Sequence, residues 1–252
     1  MPRHYLAIVA AFLLFQQADA QQYPLTRDEV AVIKKKLIAT FDALGQPPKG
    51  YTLEREDFNL PTDASKAQKS GMYYPVSASA NRTYGTQKAT EKAGADLRKD
   101  YEKKMADAQA KGDYEAIGQI AQEMQQKTGQ MQSKAIETRK EPTEVSVQFN
   151  SNPGTTIDPD AVLFEKPGVI ALRSADVSSP EKVRVSVYFD PESLKDTKQL
   201  SRVDLRQPES GVARKNAVLN IAIEMNGPTA EVEPWAKRID TKKVLAQTDG
   251  AK

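Results

Sequence analysis

The chain has 252 residues, with 36 Lys and Arg, 34 Asp and Glu, one His and no Cys. This length is enough for one domain, or two small ones, with a buried core. Acidic and basic residues are interleaved, and no dense basic stretch contains aromatic residues, which argues against a nucleic-acid partner. Because Cys is absent, core packing rather than disulfide bonds has to hold the fold together.

The first 20 residues have the layout of a secretory signal peptide. Arg3 supplies a short basic region, Tyr5 to Phe15 form an apolar run, and residues 18–20 fit a small-x-small cleavage site. The apolar run is too short to span a bilayer, and no other stretch is apolar enough to do so. We therefore expect cleavage near Ala20 and a secreted or periplasmic mature chain without a transmembrane segment.

Cleavage at this point would also remove the only histidine, His4. Nucleophilic sites of the Ser-His-Asp and Cys-His types need an imidazole base. Zinc and copper sites need imidazole or thiolate ligands. A mature chain without His and Cys therefore leaves only carboxylates, Lys, Tyr, Ser and backbone groups for chemistry, and we predict no catalytic residue and no cofactor.

Residues 26–44 show the clearest local pattern. Five apolar residues recur at helical spacing, namely Val30, Ile33, Leu37, Phe41 and Leu44. Thr26 and Glu29 stand at the positions of a capping box, and Gly45 follows the last apolar residue. The pattern predicts an α-helix that ends at Gly45.

The next 100 residues divide into two parts. Residues 46–85 lack a period and predict extended chain with one or two edge strands, around residues 51–60 and 71–80. Residues 86–138 are rich in Ala, Lys, Gln, Glu and Met and contain two apolar stripes separated by residues 111–113. Gly112 suits the end of one helix and Asp113 the cap of the next, so this composition predicts an antiparallel helical hairpin.

From residue 143 the apolar period changes to two, which is typical of strands with one covered face. Alternation is strongest at residues 145–149, 183–189 and 219–225, and shorter candidates lie at 162–164, 169–172 and 200–205. Asp190 to Glu192 resemble the cap and first turn of a short helix, and Pro234 is expected to open a final helix with Trp235 and Ile239.

Two groups of residues are candidate binding sites. Tyr73, Tyr74, Arg82 and Tyr84 are the one local cluster of aromatic and cationic residues outside a predicted regular element. Tyrosines on a loop can stack on sugars or peptides, and they can equally cover the edge of a sheet. Asp158 and Asp160 offer oxygen ligands for a hard cation such as Ca²⁺, although Asp-Pro pairs are also ordinary turn formers.

These observations predict an α+β fold in which an antiparallel β-sheet packs with an N-terminal and a C-terminal helix. The expected parts are a signal peptide (1–20), an N-terminal helix and extended segment (21–85), an inserted helical hairpin (86–138), a β-rich domain (139–247) and a disordered tail (248–252).

Two hypotheses about function remain open. The first is a non-catalytic exported protein of a bacterial envelope that binds or scaffolds an envelope protein or glycan. The second is a carboxylate-based hydrolase that acts on envelope glycans or exported peptides. A deep pocket lined by close acidic residues would favour the hydrolase, whereas a flat sheet and a projecting hairpin would favour binding.

Overall fold

The structure, a computed structural model, describes residues 22–66, 71–137, 139–176, 179–206 and 211–249. The predicted signal peptide, with Arg3, His4 and the cleavage site at Ala20, lies outside the described residues. Residues 250–252 of the predicted tail lie outside them as well.

The described residues form strands and helices in roughly equal measure. The strands are β1 (Gln22–Pro24), β2 (Thr52–Asn59), β3 (Asp63–Ser65), β4 (Ala78–Gly85), β5 (Thr143–Phe149), β6 (Thr155–Thr156), β7 (Val162–Lys166), β8 (Val169–Asp176), β9 (Ser179–Phe189), β10 (Arg202–Val203) and β11 (Ile221–Pro228). The helices are α1 (Arg27–Asp42), α2 (Gln87–Ala110), α3 (Tyr114–Glu137), α4 (Thr229–Lys237) and α5 (Thr241–Leu245). Among the described residues, no helix has both the length and the apolar character needed to cross a membrane.

Seven strands form one antiparallel sheet in the order β2-β4-β5-β11-β9-β8-β7. Two further pairs, β1 with β3 and β6 with β10, form small separate sheets. The strand that is last in sequence, β11, lies in the middle of the large sheet. The predicted α+β fold with an antiparallel sheet is therefore confirmed.

Helix α1 begins and ends where the sequence predicts. Thr26 and Glu29 form the capping box, in which the Glu29 N–H donates to Thr26 Oγ1 at 3.2 Å and the Thr26 N–H donates to Glu29 Oε2 at 2.8 Å. Gly45 follows the helix with a φ of 72°, which favours glycine over residues with a side chain. Ile33, Leu37 and Phe41 are buried against the sheet.

One face of the sheet is covered by the helices and forms the main core. Seven residues of the three strongly alternating segments belong to one buried cluster, and these are Val145, Val147, Val183, Val185, Val187, Ile221 and Ile223. Trp235 of α4 is fully buried there, and its Nε1–H donates to the Leu44 carbonyl at 2.9 Å. That bond joins the end of the α1 segment to the C-terminal helices.

The C-terminal helix differs from its prediction. Helix α4 begins at Thr229, directly after β11, and Pro234 lies inside it rather than at its start. Proline has no N–H to donate to the carbonyl four residues earlier, and α4 ends three residues further on. A second short helix, α5, then follows, and the Asp240 carboxylate accepts the Lys243 N–H at its start.

The segment before β4 also differs from its prediction. The strand expected at residues 71–80 begins only at Ala78, and β4 is an interior strand that pairs with both β2 and β5. Its partner β2 lies at the edge of the sheet, in agreement with the edge strand predicted around residues 51–60.

Helices α2 and α3, called the helix pair below, connect β4 to β5. Each has 24 residues, about 36 Å at 1.5 Å per residue. Gly112 has a φ of 67° between them, and the Asp113 carboxylate accepts the Ala116 N–H at 2.9 Å. Tyr84 of β4 lies opposite Thr143 of β5, so the two ends of the insertion are adjacent in the sheet.

Thr248 and Asp249 belong to the folded part of the chain rather than to a disordered tail. The Asp249 carboxylate accepts hydrogen bonds from Lys36 Nζ at 2.6 Å, from Arg214 at 2.8 Å and from the Val218 N–H at 2.8 Å. Asp249 is thereby fixed to α1 and to the loop before β11.

Candidate functional site

The sheet face opposite the main core is divided into a covered half and an open half. Over β8 and β9 a second, smaller core includes Ile170, Tyr188 and Leu194. Over β2, β4, β5 and β11 the face is polar. The outward positions there, called the polar platform below, are Arg55, Asp57, Asn59, Ser79, Asn81, Thr83, Glu144, Ser146, Gln148, Glu224 and Asn226.

The register of the strands arranges the polar platform in rows. Asp57, Asn81, Ser146 and Glu224 lie opposite one another across four strands, and the row beginning with Arg55 lies beside them. Two shallow grooves of about 450 Å³ and 440 Å³ follow this surface. A flat surface with amide, hydroxyl and charged groups can form hydrogen bonds with a polar ligand, but it does not enclose one.

The charged groups of the polar platform pair largely with their neighbours. Arg55 lies 2.5 Å from Asp57, and Arg184 of β9 lies 3.3 Å from Glu224. The four side chains are between 45% and 74% exposed, so solvent screens these ion pairs and each adds little to stability.

The four candidate residues of the aromatic cluster have two different sets of neighbours. Arg82 and Tyr84 lie on the core side of β4, next to α1 and α4. The Arg82 guanidinium pairs with Glu56 at 2.6 Å and stacks 4.2 Å from the centre of the Phe41 ring. Burial would lower the pKa of Arg82, but hydrogen bonds with Glu56 and Tyr84 outweigh it and raise the pKa. Arg82 is thus held by groups of the chain itself.

Tyr84 is buried and packs edge to face against Trp235, with the ring centres 5.1 Å apart. Burial raises the pKa of its hydroxyl group. A tyrosine in this position stabilises the core and presents no ring to a ligand.

Tyr73 and Tyr74 lie near the small β1–β3 sheet. Tyr73 exchanges two backbone hydrogen bonds with Val212, at 2.7 and 3.0 Å, and its ring packs edge to face on Tyr23. The Tyr74 N–H donates to the Ser65 carbonyl at 2.9 Å. Both rings remain partly exposed. These two residues therefore stay candidates for ligand binding apart from Arg82 and Tyr84.

Asp158 and Asp160 lie at a short 3-10 turn, Pro159–Ala161, on the surface. The Asp158 carboxylate accepts the Asp160 N–H at 3.0 Å and caps the turn. The same shallow depression is lined by Arg173 and Lys182 and by a third carboxylate, Glu233, which pairs with Arg173 at 3.5 Å. Within the described ranges, no three His, Cys, Asp or Glu side chains are grouped closely enough to hold a metal ion.

The shifted carboxyl groups show no candidate general acid. Among the described residues, every carboxyl group with a shifted pKa has it lowered, and these are Glu29, Asp100, Glu123, Asp240 and Asp249. Hydrogen bonds from Lys104 and Lys127 lower the pKa of Asp100 and Glu123, respectively. A carboxylic acid that protonates a glycosidic oxygen needs the opposite shift.

The helix pair is the most extended feature of the described chain. Gly94 faces the Met131 methyl group, and Lys127 Nζ lies 5.8 Å from the centre of the Tyr101 ring, so contacts run in opposite order along the two helices. Tyr101 is fully buried between them. Within the described residues, neither core cluster of the sheet includes a residue of either helix.

Sequence reasoning missed a buried polar network beside the sheet. Asp190 is fully buried and accepts the N–H groups of Glu192, Ser193 and Arg206, together with the Arg206 side chain. The first two bonds are those of the cap predicted after Phe189, but residues 191–196 form turns rather than the expected short helix. The Arg206 contacts come from a residue 16 positions away, and no local pattern indicates them.

Comparison with protein-family models, with curated proteins and with solved structures finds no match to this chain. The assignment of function therefore rests on the geometry described above.

Proposed function

We propose that this chain is a non-catalytic binding or scaffolding protein, exported to the periplasm of a bacterial envelope, and that the helix pair is the part that reaches its partner. The layout of residues 1–20 supports export. The surface of the described chain supports binding, because it combines an open polar platform with a long helical insertion that has no residue in the core clusters of the sheet.

The observation that supports this proposal most directly is the separation of the helix pair from the sheet cores. Tyr101 packs in the seam between the two helices, and among the described residues neither core cluster of the sheet includes a residue of the helix pair. Fixing the backbone of each residue costs about 1–2 kcal/mol of conformational entropy. An insertion of this length that adds nothing to the main core is best explained by a role for its surface.

The experiment removes the helix pair and keeps the sheet. Residues 87–138 are replaced by a short Gly-Ser linker, which turns β4 and β5 into a simple hairpin because Tyr84 and Thr143 are already adjacent. We expect the shortened protein to retain a cooperative thermal transition and to lose its partner in affinity capture from envelope extract. The full chain serves as the positive control.

Two outcomes would contradict the proposal. Collapse of the shortened protein would show that the helix pair is a core element. If the shortened protein retains the same partner, the binding surface lies on the sheet and not on the helix pair. A variant with Ser146→Arg in the centre of the polar platform distinguishes these surfaces, because it leaves the helix pair unchanged.

A hydrolase remains the alternative, and one observation favours it. Glu144 and Glu224 lie at diagonal positions on the neighbouring strands β5 and β11, about 7–8 Å apart at the backbone. This spacing is compatible with an inverting pair of carboxylates. The ion pair of Glu224 with Arg184 and the shallow shape of the groove argue against a hydrolase.

If the full chain cleaves envelope glycans, Glu144→Gln should abolish the activity. A full chain that cleaves no envelope glycan contradicts this alternative.

A further inference from the structure

One end of the polar platform is a groove without charged residues. It has a volume of about 440 Å³ and lies where β2 and β5 end and β4 begins. None of the residues that line it is charged, although charged residues make up 28% of the chain. Its exposed or half-buried polar side chains define the neutral groove, and these are Asn59, Ser77, Ser79, Gln148, Ser151 and Asn152.

Strand pairing places three of these side chains in one row. Asn59 lies opposite Ser79, and Ser79 lies opposite Gln148, so the row crosses β2, β4 and β5. Neighbouring strands are about 4.8 Å apart, and the row therefore presents polar groups at regular steps. Among the described residues, none of the three side chains has a hydrogen-bond or ion-pair partner. Their donors and acceptors are thus available to a ligand.

The loop at the end of the neutral groove is held in place by Asn150. This is the one residue other than glycine with a positive φ, 56°, in the described part of the chain. Its buried side chain donates to the carbonyls of Val76 at 2.8 Å and Ala217 at 2.9 Å, and accepts the Leu219 N–H at 2.8 Å. These bonds fix the path of the two groove residues that follow. The neutral groove is therefore formed before a ligand binds, which lowers the entropy cost of binding.

The lining of the neutral groove disfavours several classes of ligand. An anion would need a cationic side chain and a metal ion would need carboxylates, and neither lines the groove. An extended peptide forms main-chain hydrogen bonds with the edge of a sheet rather than with its face. The hydroxyl groups of a sugar both donate and accept hydrogen bonds, as amide and hydroxyl side chains do. A neutral saccharide therefore complements the neutral groove best.

We propose that the neutral groove binds a neutral oligosaccharide. The hydroxyl groups of one sugar unit pair with Asn59, Ser79 and Gln148, and the next unit along the groove pairs with Ser151 and Asn152. The open shape of the groove admits a segment within a longer saccharide chain as well as a free end. This inference goes beyond the proposed function and does not rest on it, because the site lies on the sheet and not on the helix pair.

The test is an NMR titration of the isotope-labelled full mature chain with three trisaccharides. Maltotriose and triacetylchitotriose are neutral, and trigalacturonic acid is anionic. We expect at least one neutral trisaccharide to shift the amide signals of Ser79, Gln148 and Asn152. Trigalacturonic acid should bind at least about fivefold more weakly, because its carboxylates lose hydration without meeting a cationic partner.

A double variant with Asn59→Ala and Gln148→Ala removes two of the three groups in the row. It should bind the neutral trisaccharide at least about tenfold more weakly, because two hydrogen bonds are lost. A double variant with Asn81→Ala and Ser146→Ala is the matched control, since these residues form the adjacent outward row and line the other groove. The control should bind like the unchanged chain. Thermal denaturation should show equal stability for both variants, since none of the four side chains is buried.

Three results would overturn the inference. The first is the absence of shifts at the neutral groove with both neutral trisaccharides. The second is equal binding of trigalacturonic acid, which would show that the missing charge does not select the ligand. The third is equal weakening in the two double variants, which would place the binding outside the neutral groove.

Discussion

Asp190 is the residue on which the covered half of the outer sheet face depends. Its carboxylate is fully buried directly after β9, and it satisfies three backbone N–H groups and the Arg206 guanidinium. Arg206 in turn donates to the Leu219 carbonyl, and its own carbonyl accepts from Asn220 at 2.8 Å. The network joins the loop after β9 to the segment that leads into β11.

We expect Asp190→Ala to destabilise the protein by about 3–5 kcal/mol, because it removes the buried carboxylate that pairs with Arg206 and the acceptor of three backbone N–H groups. Urea denaturation followed by tryptophan fluorescence measures the loss. Glu192→Gln is the matched control, since the Glu192 carboxylate contacts Arg206 at 3.0 Å from an exposed position. It should cost less than about 1 kcal/mol. Equal losses in the two variants would contradict the importance of burial at Asp190.

Asp249 should make stability depend on pH in the acid range. Burial would raise the pKa of its carboxyl group, but hydrogen bonds from Lys36 and Val218 and the positive charges nearby lower it below the ordinary value. A lowered pKa in the folded state means that the stabilisation is complete above the ordinary pKa near 4 and is lost as the pH falls through the folded value.

Asp249→Asn should therefore reduce the free energy of unfolding at neutral pH by about 1–3 kcal/mol, and the difference from the unchanged chain should shrink as the pH is lowered below about 4. Thermal denaturation between pH 2 and 7 measures it. Asp96→Asn, at an exposed position of α2, is the control and should show no such convergence. A difference that stays constant with pH would rule out the ionised carboxylate as its source.

At the level of single elements, the edge strand β2 shows how a long exposed edge is protected against pairing with a strand of another molecule. Glu54, Arg55, Glu56 and Asp57 place four consecutive charges on it, and the register shifts between Leu53 and Arg55. Charges and bulges at an edge oppose pairing with a further strand. Strand β2 is therefore protected against pairing with a strand of another molecule.

Strand β9 offers a test of which sheet face is the core. Val185 is fully buried, whereas its neighbour Ser186 points to the opposite face and is only partly buried. Val185→Asp should destabilise by about 4 kcal/mol or more, because it buries an unpaired charge. Ser186→Asp should cost much less. Chemical denaturation of both variants compares them, and a small loss for Val185→Asp would mean that the strand faces are assigned in reverse.

Elements with a strong local period could be predicted, and contacts between distant residues could not. The capping box and apolar spacing of α1 and the alternation in β5, β9 and β11 lie within a few residues of sequence. Tyr84 was grouped with Tyr73 because they are neighbours in sequence, yet its partner in the fold is Trp235, about 150 residues later. For the same reason the sequence did not indicate that Asp249 binds Lys36.

At the scale of the whole molecule, the order of strands in the sheet differs from their order in the chain. The sheet is divided by β11 into a first part, β2-β4-β5, and a second part, β9-β8-β7. Both parts precede β11 in sequence, and they contact each other across the sheet only through it.

A ribosome releases this chain from its first residue to its last, at about 5–20 residues per second. Until residues 221–228 emerge, β5 and β9 both keep an unpaired edge rich in valine. The seven-stranded sheet can thus close only after β11 has emerged, and its first and second parts stay unjoined until then. A product truncated before Ile221 keeps both edges open, and we expect it to aggregate or to be degraded rather than to fold in part.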